Sequence, residues 1–198
     1  MSRFWNPIKT IVMERGCLEA FKLNPGASKE ELFALEKHIG FQLPSALREF
    51  LAIHNGQDSG FGLFFGLQFL STNGIRSNWD AWRSIEGDDL NKELQDSMSS
   101  TPEGFIKPLY LNRNWIPLTH DLSGNHIGID YDPDIKGTLG QIITFGRDDD
   151  QKKLKAKTFE EFLSLFVQQL CSVEWKVTAN GWQISAPYDR HYHDWQGL

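Results

Sequence analysis

Residues Pro117 to Gln141 read PLTHDLSGNHIGIDYDPDIKGTLGQ. Within them Asn125 to Asp132 alternates apolar and polar, the period of a half-buried strand. The alternation predicts Ile127, Ile129 and Tyr131 in the core. It places His126, Gly128, Asp130 and Asp132 on a polar, acidic outer face, with Asp130 and Asp132 exposed. A short Asp-Leu-Ser-Gly turn precedes this strand, and Asp132-Pro133-Asp134 opens a Gly-containing loop after it. Asp121 and Asn125 can each bond nearby amides and hold such turns. The functional reading of the same residues is an anionic patch formed by Asp130, Asp132 and Asp134. A calcium loop fits poorly, because the glycine at its sixth position and the glutamate at its twelfth are missing.

Working outward, Asn114 to Thr119 and Gln141 to Phe145 read as flanking strands. Gly62 to Leu70, GLFFGLQFL, reads as a further buried strand. Ile75, Trp79, Trp82 and Ile85 are spaced like one helix face, with Trp79 assigned to the core. Gly87 to Gly104 is polar and acidic, a candidate mobile insertion with helical character around Leu90 to Met98. Toward the N-terminus, Pro7 to Phe21 follows a helical period. Ser28-Lys29-Glu30-Glu31 forms a capping box ahead of Leu32, Leu35 and Ile39, and Gly40 is suited to end that helix. Leu43-Pro44-Ser45 opens a third helix, with Leu47, Phe50 and Leu51 inward. Thr158-Phe159-Glu160-Glu161 is a second capping box. The segments Glu174 to Thr178 and Trp182 to Ser185 flank Ala179-Asn180-Gly181, a hairpin signal. Helices come first, then strands, then a helix and a hairpin, which is the order of an α+β domain.

The chain has 198 residues and a formal net charge of −6. This length suits one domain. The negative charge makes nucleic acid an unfavourable partner, since that affinity rests on Lys and Arg against phosphates. A basic protein or a cationic ligand is a better match. Cys17 and Cys171 sit among apolar helical neighbours and read as buried thiols of a reducing cytoplasm. The N-terminal stretch lacks an unbroken apolar segment, so no signal peptide is read there. No window is long and apolar enough to span a membrane.

The chemistry of catalysis is not signalled. There is no GxSxG elbow, P-loop or GxGxxG. His191 and His193, with Asp189 and Asp194, are the one candidate metal cluster, and a polar aromatic tail is the far commoner meaning of such a stretch. His120, Asp121 and His126 are a candidate acid/base cluster that would need a pocket. The expectation is no catalytic residue, no metal and no cofactor.

The stretch GASKEELFALEKHIGFQLPSALREFLAIHNGQ (Gly26 to Gln57) resembles the opening of the Smi/Knr family of the SUKH superfamily. The resemblance continues through GLFFGLQFLS, the helix carrying Trp79 and Trp82, IPLTHDLSGNHIGIDYDP and GTLGQIITF, and closes at TFEEFLSLF. It covers about residues 26 to 167. It implies an α+β fold with a central, mostly antiparallel sheet and helices packed around it. It also implies a protein-binding role without established catalysis. Bacterial members are typically immunity proteins that neutralise toxins. Fungal members regulate cell-wall glucan synthesis. The absence here of long flanks like those of the fungal proteins favours the immunity type, a cytoplasmic protein with a basic toxin as partner. A regulator or scaffold linked to glucan synthesis is the alternative. The chain is then divided into an N-terminal helical extension (1–25), the Smi/Knr-like domain (26–170) and a C-terminal hairpin and tail (171–198). The expected partner site comprises Asp121, Asn125, Asp130, Asp132 and Asp134, with Trp82 at its edge.

Overall fold

The computed structural model describes residues 3–87, 89–172, 174–179 and 181–184. The elements run α1 (Trp5–Glu14), a short 3-10 helix (Leu18–Phe21), α2 (Lys29–Ile39), α3 (Ser45–Ile53), β1 (Gln68–Phe69), α4 (Thr72–Ser84) and α5 (Leu90–Glu93). Then come β2 (Ser99–Thr101), β3 (Trp115–Pro117), β4 (Thr119–His120), β5 (Asn125–Asp130), β6 (Gln141–Gly146), β7 (Gln151–Ala156), α6 (Phe159–Ser172), β8 (Trp175–Thr178) and β9 (Gly181–Ile184). The main sheet has five strands in the order β2-β7-β6-β5-β3. Only β2, at one edge, runs parallel to its neighbour. The fold is therefore α+β with a mostly antiparallel sheet, as the resemblance implied.

Local chemistry explains the helix boundaries. The Ser28 box forms in both directions: the Glu31 amide donates to Ser28 Oγ at 3.1 Å, and the Ser28 amide donates to Glu31 Oε2 at 2.8 Å. At Thr158 only half of the box appears. The Glu161 amide donates to Thr158 Oγ1, but the Glu161 carboxylate accepts from Lys157, one residue earlier than expected. The first helix is shorter than its period suggested. It ends at Glu14, and Gly16 turns the chain at φ 67° into the 3-10 helix.

Gly62 to Leu70 is not a strand but a series of tight turns that reaches ladder geometry only at Gln68–Phe69. Phe65 and Gly66 take φ 51° and 102° there. The buried Gln57 side chain replaces the missing ladder. Its amide donates to the Phe21 and Phe61 carbonyls, and its oxygen accepts from the Leu63 and Phe69 amides. Backbone groups are thereby satisfied without sheet pairing, and Leu63, Phe64, Leu67 and Phe69 still enter the core.

The main core lies between one sheet face and the helices. Phe159, Phe162, Leu163, Phe166 and Leu170 of α6 meet Phe50, Phe64 and Phe69. The N-terminal helix belongs to this core. Trp5 stacks on Phe50 with ring centroids 4.1 Å apart, and its Nε1 donates to the Phe50 carbonyl at 2.9 Å. The C-terminal hairpin is bonded in as well, through Trp182 Nε1 to the Gly62 carbonyl at 2.7 Å and Arg15 to the Trp175 carbonyl at 2.7 Å. Asn180 and Ser185 of the hairpin signal lie outside the described residues.

The second sheet face is covered too, which corrects the reading of β5. Ile127 and Ile129 join the main core, while Ile106, Trp115, Ile143 and Phe145 form a smaller cluster on the opposite side. His126, Gly128 and Asp130 point into that second cover and are not a solvated face. Asp130 has no exposed surface, and all six residues of β5 are buried. Gly128 makes room for the cover, since a Cβ there would lie 2.7 Å from the Phe145 ring and 2.3 Å from the Ile116 carbonyl. Tyr131, expected in the core, is half-buried and stacks on Phe41 at 4.5 Å. The segment expected to be a mobile insertion supplies edge strand β2, paired with β7. Cys17 is buried, but Cys171 is exposed, contrary to expectation. No helix among the described residues is long and apolar enough to cross a membrane.

Candidate partner-binding site

The acidic residues expected to form one patch fall into two groups at opposite ends of β5, about 17 Å apart at strand rise. At the first end, Asp121 Oδ1 accepts from the Ser123 and Asn125 amides at 2.7 and 2.9 Å. Asp121 Oδ2 accepts from Asn125 Nδ2 at 2.7 Å, and Asn125 Oδ1 accepts from the Asp148 amide at 2.9 Å. Asp121 and Asn125 thus tie the β4–β5 turn to the β6–β7 turn. The beginning of the His120–Asp121–His126 cluster lies here. His126 Nδ1 is 2.7 Å from the Thr119 carbonyl, and its ring is 5.2 Å from that of His120. Burial is the main cause that lowers the His126 pKa to about 4, so the ring is neutral at physiological pH.

At the other end, Asp130 accepts from three donors: Trp115 Nε1 at 3.1 Å, the Asp132 amide at 2.8 Å and Gln141 Nε2 at 2.9 Å. Burial pushes its carboxyl above the ordinary carboxylate range, and the three hydrogen bonds partly oppose that. Asp132 pairs with Lys107 Nζ at 2.5 Å and accepts from Asn112 Nδ2 at 3.0 Å. Burial would raise its carboxyl, but these two bonds and the Lys107 charge hold it below the usual range. Asp134 accepts from the Ile135 amide at 2.8 Å. The large side chains that the following loop exposes are Ile135 and Leu139. The expected acidic surface is therefore mostly a set of internal braces.

Trp82 is the expected site residue that faces a concave surface. It is half-buried on α4, which packs against edge strand β3. A narrow crevice opens beside it, lined by Trp79, Arg83, Glu86, Leu111, Arg113, Trp115 and Phe145 among others. Its floor is aromatic, buried and hydrogen-bonded. Trp79 is 4 % exposed, and its Nε1 donates to the Arg113 carbonyl at 2.8 Å. Trp115 is bonded to Asp130. Trp82 meets Tyr110, His126 and Phe145 edge-on at 5.8, 6.2 and 6.5 Å. At the mouth, Glu86 lies between two guanidinium groups, 3.7 Å from Nε of Arg83 and 3.7 Å from Nε of Arg113. The rim is braced: Asn91 exchanges two bonds with the Leu111 backbone, and Asn112 is held by Asp132.

Arg83, Glu86, Tyr110 and Arg113 were not expected from the sequence. The usable signal was composition, since Trp, Tyr and Arg dominate the energetic centres of protein interfaces, and Trp82-Arg83 and Arg113-Asn114-Trp115 bring those types together. Among the described residues no three His, Cys, Asp or Glu side chains are grouped to hold a metal ion. His191, His193, Asp189 and Asp194 lie outside the described residues.

The model of the SMI1 / KNR4 family (SUKH-1) matches residues 26–165. This chain belongs to that family. It is 30 % identical over 184 residues to the "Cell wall biosynthesis/cell cycle regulator smi1" of Schizosaccharomyces pombe, covering 87 % of this chain and 36 % of the relative. It is 29 % identical over 189 residues to the "Glucan synthesis regulatory protein" of Neurospora crassa, covering 79 % and 36 %. With the "Cell wall assembly regulator SMI1" of Saccharomyces cerevisiae the identity is 29 % over 187 residues, covering 77 % and 37 %. The chain thus spans a little over a third of the length of these curated relatives. All three are fungal and named as regulators, which favours the glucan-synthesis alternative over the immunity reading.

Proposed function

We propose that this chain is a non-catalytic protein-binding module of a regulator of cell-wall glucan synthesis, and that the Trp82 crevice is its partner contact. The observation that carries the first half is the likeness to three fungal proteins whose names describe regulators of the cell wall or of glucan synthesis. The crevice supports the second half. It combines a half-buried Trp with two Arg side chains over a buried aromatic floor, the make-up of an interface centre. Its narrowness suits contact with the surface of a protein better than the enclosure of a free metabolite. The acidic residues act as braces behind this surface: Asp130 holds Trp115, and Asp132 holds Asn112. The protein acts in the cytoplasm.

The test is disruption of the gene in its host with measurement of cell-wall β-glucan. The wall is expected to change, and the wild-type chain to restore it where Trp82→Ala does not. An unaltered wall, together with new sensitivity to a co-resident toxin, would return the protein to the immunity reading.

A further inference from the structure

The chain carries a net charge of −6, yet among the described residues the mouth of the crevice is locally cationic, with Arg83 and Arg113 paired to Glu86 alone. Each guanidinium reaches Glu86 through one contact of 3.7 Å, longer than a hydrogen bond. An arginine offers five N–H donors in a planar fork matched to a carboxylate, so this arrangement leaves most of that capacity unengaged within the protein. Arg83 also lies over the Trp79 ring at 4.8 Å, which fixes where its charge sits. Trp82 adds a wall that is only half covered. Its indole N–H has no hydrogen-bond partner among the described residues, whereas Trp79 and Trp115 each donate theirs to the protein.

Resting on the reading of this crevice as a partner contact, we propose that its ligand is an acidic peptide segment and that Glu86 is a built-in competitor for it. A large apolar side chain of the segment packs over the uncovered part of Trp82. A neighbouring Asp or Glu carboxylate takes the position between Arg83 and Arg113 that Glu86 holds, and the Trp82 N–H donates to a peptide carbonyl. The braced rim means that little of the protein has to be ordered on binding. This reverses the charge of the partner expected from composition: Asp130 is buried and Asp132 is paired with Lys107, and the open charged feature of the crevice is basic. Displacement of Glu86 costs only a weak, half-exposed pair.

The test begins with the full chain panned against a random peptide display library. Recovered peptides are expected to be enriched in Asp and Glu beside a large apolar residue. Their affinities are then measured by fluorescence anisotropy for the wild type, Glu86→Gln, Arg113→Glu and Trp82→Ala, each shown to be folded by its thermal melt. Glu86→Gln is expected to tighten binding about fivefold at low salt, and Arg113→Glu to weaken it by more than about tenfold, both effects shrinking as salt rises. Recovery of basic or neutral peptides that still need Trp82 would overturn the acidic chemistry and leave the crevice reading standing. Peptides indifferent to Trp82→Ala, or no enrichment at all, would overturn both. Unchanged affinity in Glu86→Gln would refute the competitor role.

Discussion

The acidic run from Asp121 to Asp134 and the crevice beside Trp82 share a hydrogen bond, Trp115 to Asp130, and handle charge in opposite ways. Along the run, carboxylates accept short bonds from the protein's own amides and amines. Asp121 ties two turns together, Asp130 takes three donors in a dry interior, and Asp132 closes on Lys107 and Asn112. At the crevice, two guanidinium groups and one carboxylate stand 3.7 Å apart at the surface. Charge density in a sequence is therefore a poor guide to the charge a partner meets. A carboxylate paired with a cation, as Asp132 is with Lys107, steers little, and a loose triad with net positive charge can dominate locally.

The comparison breaks first if the run is not structural. Trp79→Ala removes a core ring from the crevice floor and is expected to cost roughly 3–5 kcal/mol. Asp130→Ala strands the Trp115 indole and the Asp132 amide without an acceptor, while the Gln141 amide keeps the Phe105 carbonyl, and is expected to cost about 3 kcal/mol. Urea unfolding, with unchanged slopes, measures both. A cost below about 1 kcal/mol for Asp130→Ala would return that residue to the solvated face that period-2 alternation suggested.

A smaller effect appears only in acid. His126 has its pKa lowered from 6.5 to about 4 by burial. Between those values the unfolded chain binds a proton that the folded chain refuses, so stability rises with pH across the window and is lost as pH falls through it. The loss by pH 4 is expected to approach about 3 kcal/mol. His126→Phe should remove most of that slope, leaving the lesser one from His54, whose pKa burial also lowers. Asp130 and Asp132 carry opposite signs. Asp130 binds its proton above the ordinary carboxylate range and so favours the fold as pH falls through that range. Asp132 does the reverse and loses stability below it. Carboxyl ¹³C titration by NMR should give midpoints on either side of the ordinary Asp value.

Much of the scaffold was legible in residues 28 to 53 and 158 to 170, where caps and period coincide with burial. In the strand at 125 to 130 the alternation identifies Ile127 and Ile129 as inward, but not the half-buried place of Tyr131, which lies past the strand's end. The strand's other face was misjudged, because the cover comes from Ile106, Trp115, Ile143 and Phe145, which show no joint period along the chain. Strand β7 was invisible for a different reason. Its sequence is QKKLKA, and its buried positions include Lys152 and Lys155. Lysine at a core position inverts the binary pattern on which strand reading depends, and here Lys152 is accommodated by donating to the Asp149 carbonyl. Of the site, Trp82 was legible as a Trp on a helix. Its companions were not, since Arg113 reaches Glu86 from a loop 27 positions away, and only the fold joins them.

At the far end of β5 the expected cost is lower. Asn125→Ala removes the side chain that links Asp121 to the Asp148 amide, and should cost about 1–2 kcal/mol, read by thermal unfolding. Asn125→Asp should cost at least as much, because it sets a second carboxylate against Asp121.

The smallest expected effect sharpens the contrast most. Glu86→Gln removes the only carboxylate among the described residues that pairs with Arg83 and Arg113 at the mouth of the crevice, and keeps the shape of the side chain. Were the triad a structural brace like Asp130, its loss would register in stability. The geometry argues otherwise. All three side chains are at least 32 % exposed, and both contacts are 3.7 Å. Exposed pairs of this kind contribute roughly 0–1 kcal/mol, and the two arginines repel each other more once the carboxylate is gone. The unfolding free energy should therefore fall by no more than about 0.5 kcal/mol at 0.15 M salt, with the difference vanishing as salt rises. A loss of about 2 kcal/mol or more, insensitive to salt, would make Glu86 part of the same bracing network as Asp130 and Asp132, and the distinction between the two regions would fall.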